Sequence, residues 1–88
     1  MSPEEEIIRA GEARGVLDSA IFNEAKTKIL DGIYSQMAKV PLTESEMHTR
    51  LIITLQIWNH LESYLKNIQE TGRIADFQLQ QQKKRLFG

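Results

Sequence analysis

His48 and His60 are the only imidazoles in the chain, and they stand twelve residues apart. At about 100° per residue this spacing turns them roughly 120° apart on one helix, so a single chain cannot bring both to one metal ion. Neither belongs to an H-E-x-x-H or E-x-x-H pattern, and with no cysteine there is no thiolate site and no disulfide. Solvent-facing or interface positions account for both histidines. Glu44, Glu46, Glu62 and Glu70 are the carboxylates of the same region, and helix capping and solvation explain them without a reaction. Nucleophile-elbow, phosphate-loop and dinucleotide fingerprints are missing, and the Gly11–Gly15 pair follows no strand. The expectation is a protein without catalytic residues, metal or cofactor.

Basic chemistry gathers at the C-terminus, in Lys83, Lys84 and Arg85 with Arg73 upstream. These could touch phosphates in a salt-sensitive way, but three terminal charges also suit a solvated helix end and its dipole. Lys plus Arg number 11 against 12 Asp plus Glu, a net charge of −1, which disfavours a dedicated DNA-packaging protein and an acidic mimic of nucleic acid alike. Leu86 and Phe87 follow the charged stretch as an apolar pair suited to docking on a partner. Trp58 reads as a core or interface anchor.

The elements that carry these residues are helices. Ser2, Pro3 and Glu5 form a capping-box start, with Glu4, Glu5 and Glu6 where a helix dipole favours negative charge. That first helix is expected over 3–14, anchored by Ile7 and Ile8 and weakened by Gly11 and Gly15. A second helix reads as 19–39, capped by Asp18 or Ser19, with Phe22, Ala25, Ile29, Ile33 and Met37 on one stripe. Gly32 inside it costs about 1 kcal/mol of propensity, acceptable where another helix crosses closely. Val40 and Pro41 end it. Thr43 through Glu46 repeats the capping box and opens a third helix over 44–71, closed or bent by Gly72. A C-terminal helix over 73–85 follows, packed in its first turns and frayed at its end.

The short link between the second and third helices predicts an antiparallel hairpin, within one helical domain spanning 1–88. Met47, Leu51, Leu55, Trp58, Leu61, Leu65 and Ile68 make one continuous seam on the third helix. Ile52, Ile53, Ile57 and Tyr64 lie off it, so apolar residues cover well over half the circumference. One partner helix cannot bury such a surface. Each large side chain left in water forgoes about 1.5–3 kcal/mol, and several together rival the stability of a small domain. An all-α hairpin that assembles into an oligomeric bundle follows, with Ile53, Ile57, Trp58, Leu61 and Tyr64 at the interface. Folding of the two end segments over the second stripe is the competing arrangement. No apolar run is long enough for a membrane span, and the acidic start at Met1–Glu6 does not suit a signal peptide.

The stretches Phe22 to Ala25, Tyr34, Thr43 to Arg50, Leu55 to Leu65 and Glu70 to Ala75, continuing to Leu79, carry a resemblance. In them the chain resembles a group of small tailed-bacteriophage helical-hairpin proteins, mostly of unknown function and often encoded among head or assembly genes. The resemblance covers roughly residues 16–80 and implies a viral protein acting through protein–protein contacts in virion assembly or structure. Its partners would be itself and another phage or host protein, in the host cytoplasm or the virion. A second phage class, hairpin proteins that oligomerise and sequester cyclic-nucleotide signals, is similar in length and architecture. The residues around Trp58 depart from its recognition pattern. On that anti-defence reading Arg50, Tyr64, Lys66 and Arg73 would supply the ligand contacts, by their chemistry alone. A DNA-binding accessory protein using Arg73 and Lys83–Arg85 is the third.

Overall fold

The chain enters its first helix through a side-chain cap. Ser2 sits extended (φ −73°, ψ 157°) and its hydroxyl accepts the Glu5 N–H at 3.2 Å, with Pro3 on the first turn. In the computed structural model, which describes residues 1–87 and only the backbone of Phe87, helix α1 runs Pro3–Leu17. The expected end near Arg14 is corrected: α1 passes through Gly11 and Gly15, neither of which takes positive φ. Glycine weakens a helix without ending it when its neighbours pack, and Ala13 between the two is buried. Gly15 faces open space, with nothing within 4 Å of an added Cβ. Gly15→Ala should therefore raise stability by about 1 kcal/mol, read as a higher urea midpoint with unchanged slope.

Ser19 then caps α2 (Ala20–Lys39) by accepting the Phe22 N–H at 3.3 Å. Val40, extended ahead of Pro41, ends it. The Pro41 carbonyl accepts Glu44 N–H at 3.0 Å, and α3 begins at Ser45. Glu44 thus holds the cap position expected of Thr43, and its carbonyl accepts His48 N–H at 3.2 Å. From there α3 runs unbroken over 43 residues, Ser45–Phe87. The expected break at Gly72, with a separate helix over 73–85, is corrected. At 1.5 Å per residue α3 is about 65 Å long, which matches the 67 Å length of the molecule.

Leu51, Trp58, Leu65, Gly72 and Leu79 recur at seven-residue steps along α3 and form one seam. Over the first half α2 covers it, with Phe22 against Trp58, Lys26 against Glu62 and Val40 beside His48. Over the second half α1 covers it, with Glu6 and Ala10 at Gly72. The α1 contact is the closer, because alanine and glycine face each other: Ala13 and Ala75 are buried, the latter 1% exposed. A Cβ on Gly72 would overlap the Ala10 Cβ and come within 2.9 Å of the Glu6 carbonyl oxygen. The close crossing expected at Gly32 is absent within the chain, where an added Cβ would meet nothing within 4 Å.

This rod has little core. Ile33 and Leu51 are its only buried large aliphatics among the described residues, and no large side chain is completely enclosed. Its accessible surface is 6877 Å², where a compact monomer of this mass exposes about 5300 Å². Its radius of gyration is 19.3 Å against about 12 Å for a compact domain of this length.

Candidate association surface

One polar cluster lies inside the α2–α3 contact. Lys26 Nζ donates to the Glu62 carboxylate at 2.9 Å, Trp58 Nε1–H donates to Glu62 Oε1 at 2.7 Å, and Lys66 Nζ stands 3.7 Å from Oε2. The Glu62 side chain is only 12% exposed. The Lys26 hydrogen bond holds its carboxyl below the usual carboxylate range; burial opposes this, and the Trp58 bond and both ammonium charges reinforce it. A carboxylate depressed in the folded state stabilises above the unfolded carboxyl pKa, and that contribution fades as pH falls through the folded value. Glu62→Gln should therefore lower stability near neutral pH by about 1–2 kcal/mol. The gap from the parent should close well below the usual carboxylate pKa. Urea titrations at neutral and acid pH measure it, and a gap that persists in acid would contradict the assignment. The cluster is a structural clamp joining two helices.

The histidines have separate duties, as their angular spacing requires. His48 Nε2–H donates to the Val40 carbonyl at 3.1 Å and closes the α2–α3 link, while His60 is exposed. No group of three or more metal-ligating side chains gathers among the described residues. No described helix is long and apolar enough to cross a membrane.

The candidate phosphate contacts do not form one site. Arg50 bonds Glu46 at 2.9 Å near the start of α3, and Arg73 bonds Glu70 at 2.6 Å far along it. The Arg73 guanidinium holds Glu70 below the ordinary carboxylate range, and Glu70 in turn raises Arg73. Lys66 and Arg73 do share an open groove of about 620 Å³ with Arg14, but Glu70 and Asp76 line it too. Lys83, Lys84 and Arg85 are exposed on the last turns of α3, with Leu86 beyond them exposed as well. The Phe87 side chain lies outside the described residues.

The apolar candidates fall into two groups. Trp58, read as a core or interface anchor, anchors two helices of its own chain: its ring stacks on Phe22, centroids 5.7 Å apart and planes at 21°, and it is half-buried between α2 and α3. Ile53, Ile57, Leu61 and Tyr64 are all exposed, Ile57 by 64%. The end segments do not fold over them; α1 reaches only the Tyr64 end, where Met1, Glu6 and Arg9 line a groove with it. Sequence reasoning missed the exposed apolar residues of α2. Ile21 is 73% exposed and Ile29 is exposed too, because the stripe assigned to α2 is wider than the face α3 covers.

What stands defined is an all-α chain with three helices among its described residues and an exposed apolar row on α3. No family model, no curated protein and no solved structure matches it.

Proposed function

We propose that this protein acts by association, as a non-enzymatic helical hairpin of α2 and α3 that joins a second copy of itself into a helical bundle. The observation that carries this is the unpartnered row Ile53, Ile57, Leu61 and Tyr64, on a molecule exposing about 1600 Å² more than a compact monomer would. Burying such residues yields about 1.5–3 kcal/mol each. The resemblance to the tailed-phage group supplies the setting: contacts between the assembled form and another phage or host protein during virion assembly. Sedimentation equilibrium at micromolar concentration should give at least twice the 10.1 kDa chain mass, and Ile57→Glu should return it to the monomer. A monomeric parent would end the proposal.

The groove lined by Arg14, Lys66 and Arg73, with Glu70 and Asp76 beside them, is the feature behind a second reading, capture of an anionic nucleotide signal in an anti-defence role. A thermal-shift series with cyclic dinucleotides tests it, since ligand at 100 times its dissociation constant adds about 2.7 kcal/mol. No shift removes it.

A further inference from the structure

We infer that the groove between α1 and α3 binds a small zwitterion of the amino-acid class, its carboxylate against Arg9 and its ammonium against Glu6. The site goes beyond the association proposed above and shares only Tyr64 with that surface. Among the described residues, only four of the acidic residues, lysines and arginines are half-buried: Glu6, Arg9, Lys26 and Glu62. Lys26 and Glu62 neutralise each other across the α2–α3 contact at 2.9 Å. Glu6 and Arg9 stand three residues apart on one helix, yet neither pairs with the other or with any other described residue. The same Glu-x-x-Arg spacing at Glu70 and Arg73, on open surface, closes to 2.6 Å. Arg9 also leaves Glu5 and Glu12 unpaired, each within about one turn of it. Its Nη1–H reaches the Met1 sulfur instead, at 3.4 Å, a weak acceptor.

Both side chains line one open groove of about 350 Å³, where α3 contributes Tyr64, Asn67 and Thr71. That volume lies at the small end of the range, about 300–1,000 Å³, that holds small molecules. Thr49 and Thr54, the other threonines of α3, turn their hydroxyls back onto carbonyls one turn earlier, at 2.9 and 2.8 Å. The hydroxyls of Thr71 and Tyr64 and the Asn67 amide make no such bond among the described residues, and are left for a ligand. Charge then selects the class. A charge drawn partly out of water is unfavourable without a partner, and here two of opposite sign share one groove. A simple anion would meet Arg9 and be repelled by Glu6; a simple cation would suffer the reverse. A molecule carrying both a carboxylate and an ammonium gives each a charge-assisted hydrogen bond. Ile68, beside them, offers its apolar surface to the rest of such a molecule.

Isothermal titration calorimetry of the full chain against each standard amino acid, its amide and its N-acetyl form tests this. At least one free amino acid should bind. Removing its carboxylate charge (the amide) or its ammonium charge (the N-acetyl form) should weaken binding by about 10-fold or more. Arg9→Gln and Glu6→Gln should each cause a loss of that size, while circular dichroism and the melting temperature stay near the parent's. Lys28→Gln, which breaks the exposed pair with Glu24 on α2, should bind as the parent does. The inference is overturned if no amino acid binds, if binding persists in both Arg9→Gln and Glu6→Gln, or if the amide binds as tightly as the free acid. Inorganic phosphate bound more tightly than any amino acid, and more tightly still by Glu6→Gln, also overturns it and makes the groove an anion site.

Discussion

Gly72→Leu should separate α1 from the rest of the molecule and cost about 3 kcal/mol or more. At this position the obstacles to a side chain are the Glu6 carbonyl oxygen, 2.9 Å from the added Cβ, and the Ala10 Cβ it would overlap, with the Ala10 Cα in ordinary contact behind them at 3.5 Å. The carbonyl oxygen is backbone of a regular helix and the Ala10 Cβ is fixed to it, so neither can swing aside as a flexible side-chain end could. Relief requires moving α1 as a body and losing the enclosure of Ala13 and Ala75. Overpacking of this kind costs about 1–3 kcal/mol for a small addition, and leucine adds four carbons. Gly72→Ala is the informative intermediate, because it gains about 1 kcal/mol of helix propensity and loses to the overlap. Hydrogen exchange should show α1 amides losing protection while those of α2 and the first half of α3 keep theirs. Parent-like stability in Gly72→Leu would mean that α1 does not rest on α3 at this point.

Trp58→Ala should cost a comparable amount, about 3 kcal/mol. The indole does two jobs: it stacks on Phe22 at 5.7 Å and donates to Glu62 Oε1 at 2.7 Å. Removing it leaves a gap between α2 and α3 and takes one donor from a carboxylate that is only 12% exposed. The melting temperature should fall by about 4–8 °C for each kcal/mol lost. Trp58→Phe divides the effect, since it restores an aromatic face and not the N–H; it should lose about 1.5–3 kcal/mol, the share of a hydrogen bond to a charged group. If Trp58→Phe were as damaging as Trp58→Ala, the hydrogen bond and not the stacking would hold the two helices together. A parent-like melt for Trp58→Ala would remove Trp58 as an intramolecular anchor.

Local signals were legible where the competing conformations are also local. Ser2, Ser19 and Pro41 act on their own turn of backbone, so they predict the α1 start, the α2 start and the α2 end. Gly15 and Gly72 misled because glycine is a helix stop only where it takes up the left-handed conformation. In both places the helix continues without positive φ. At Gly72 the reason is a neighbouring backbone, which lies 62 residues away in the chain at Ala10 and leaves no trace in the surrounding residues. Trp58 was legible in part. Its spacing shows that it faces something, and only the arrangement of helices shows that this is Phe22 of the same chain.

By itself, the order of residues determined that this chain is helical, where most of its turns fall, and that α3 carries more apolar surface than one neighbour can cover. These follow from periodicity and capping, which act over a few residues. Tertiary structure decided the rest: that α3 is one rod instead of two pieces, that α1 and α2 share a single seam along it, and that Ile53, Ile57, Leu61 and Tyr64 stay uncovered. The physical reason is that burial belongs to pairs of surfaces. A residue pattern states how much apolar area must be hidden, while the geometry of the other helices states which part of it already is.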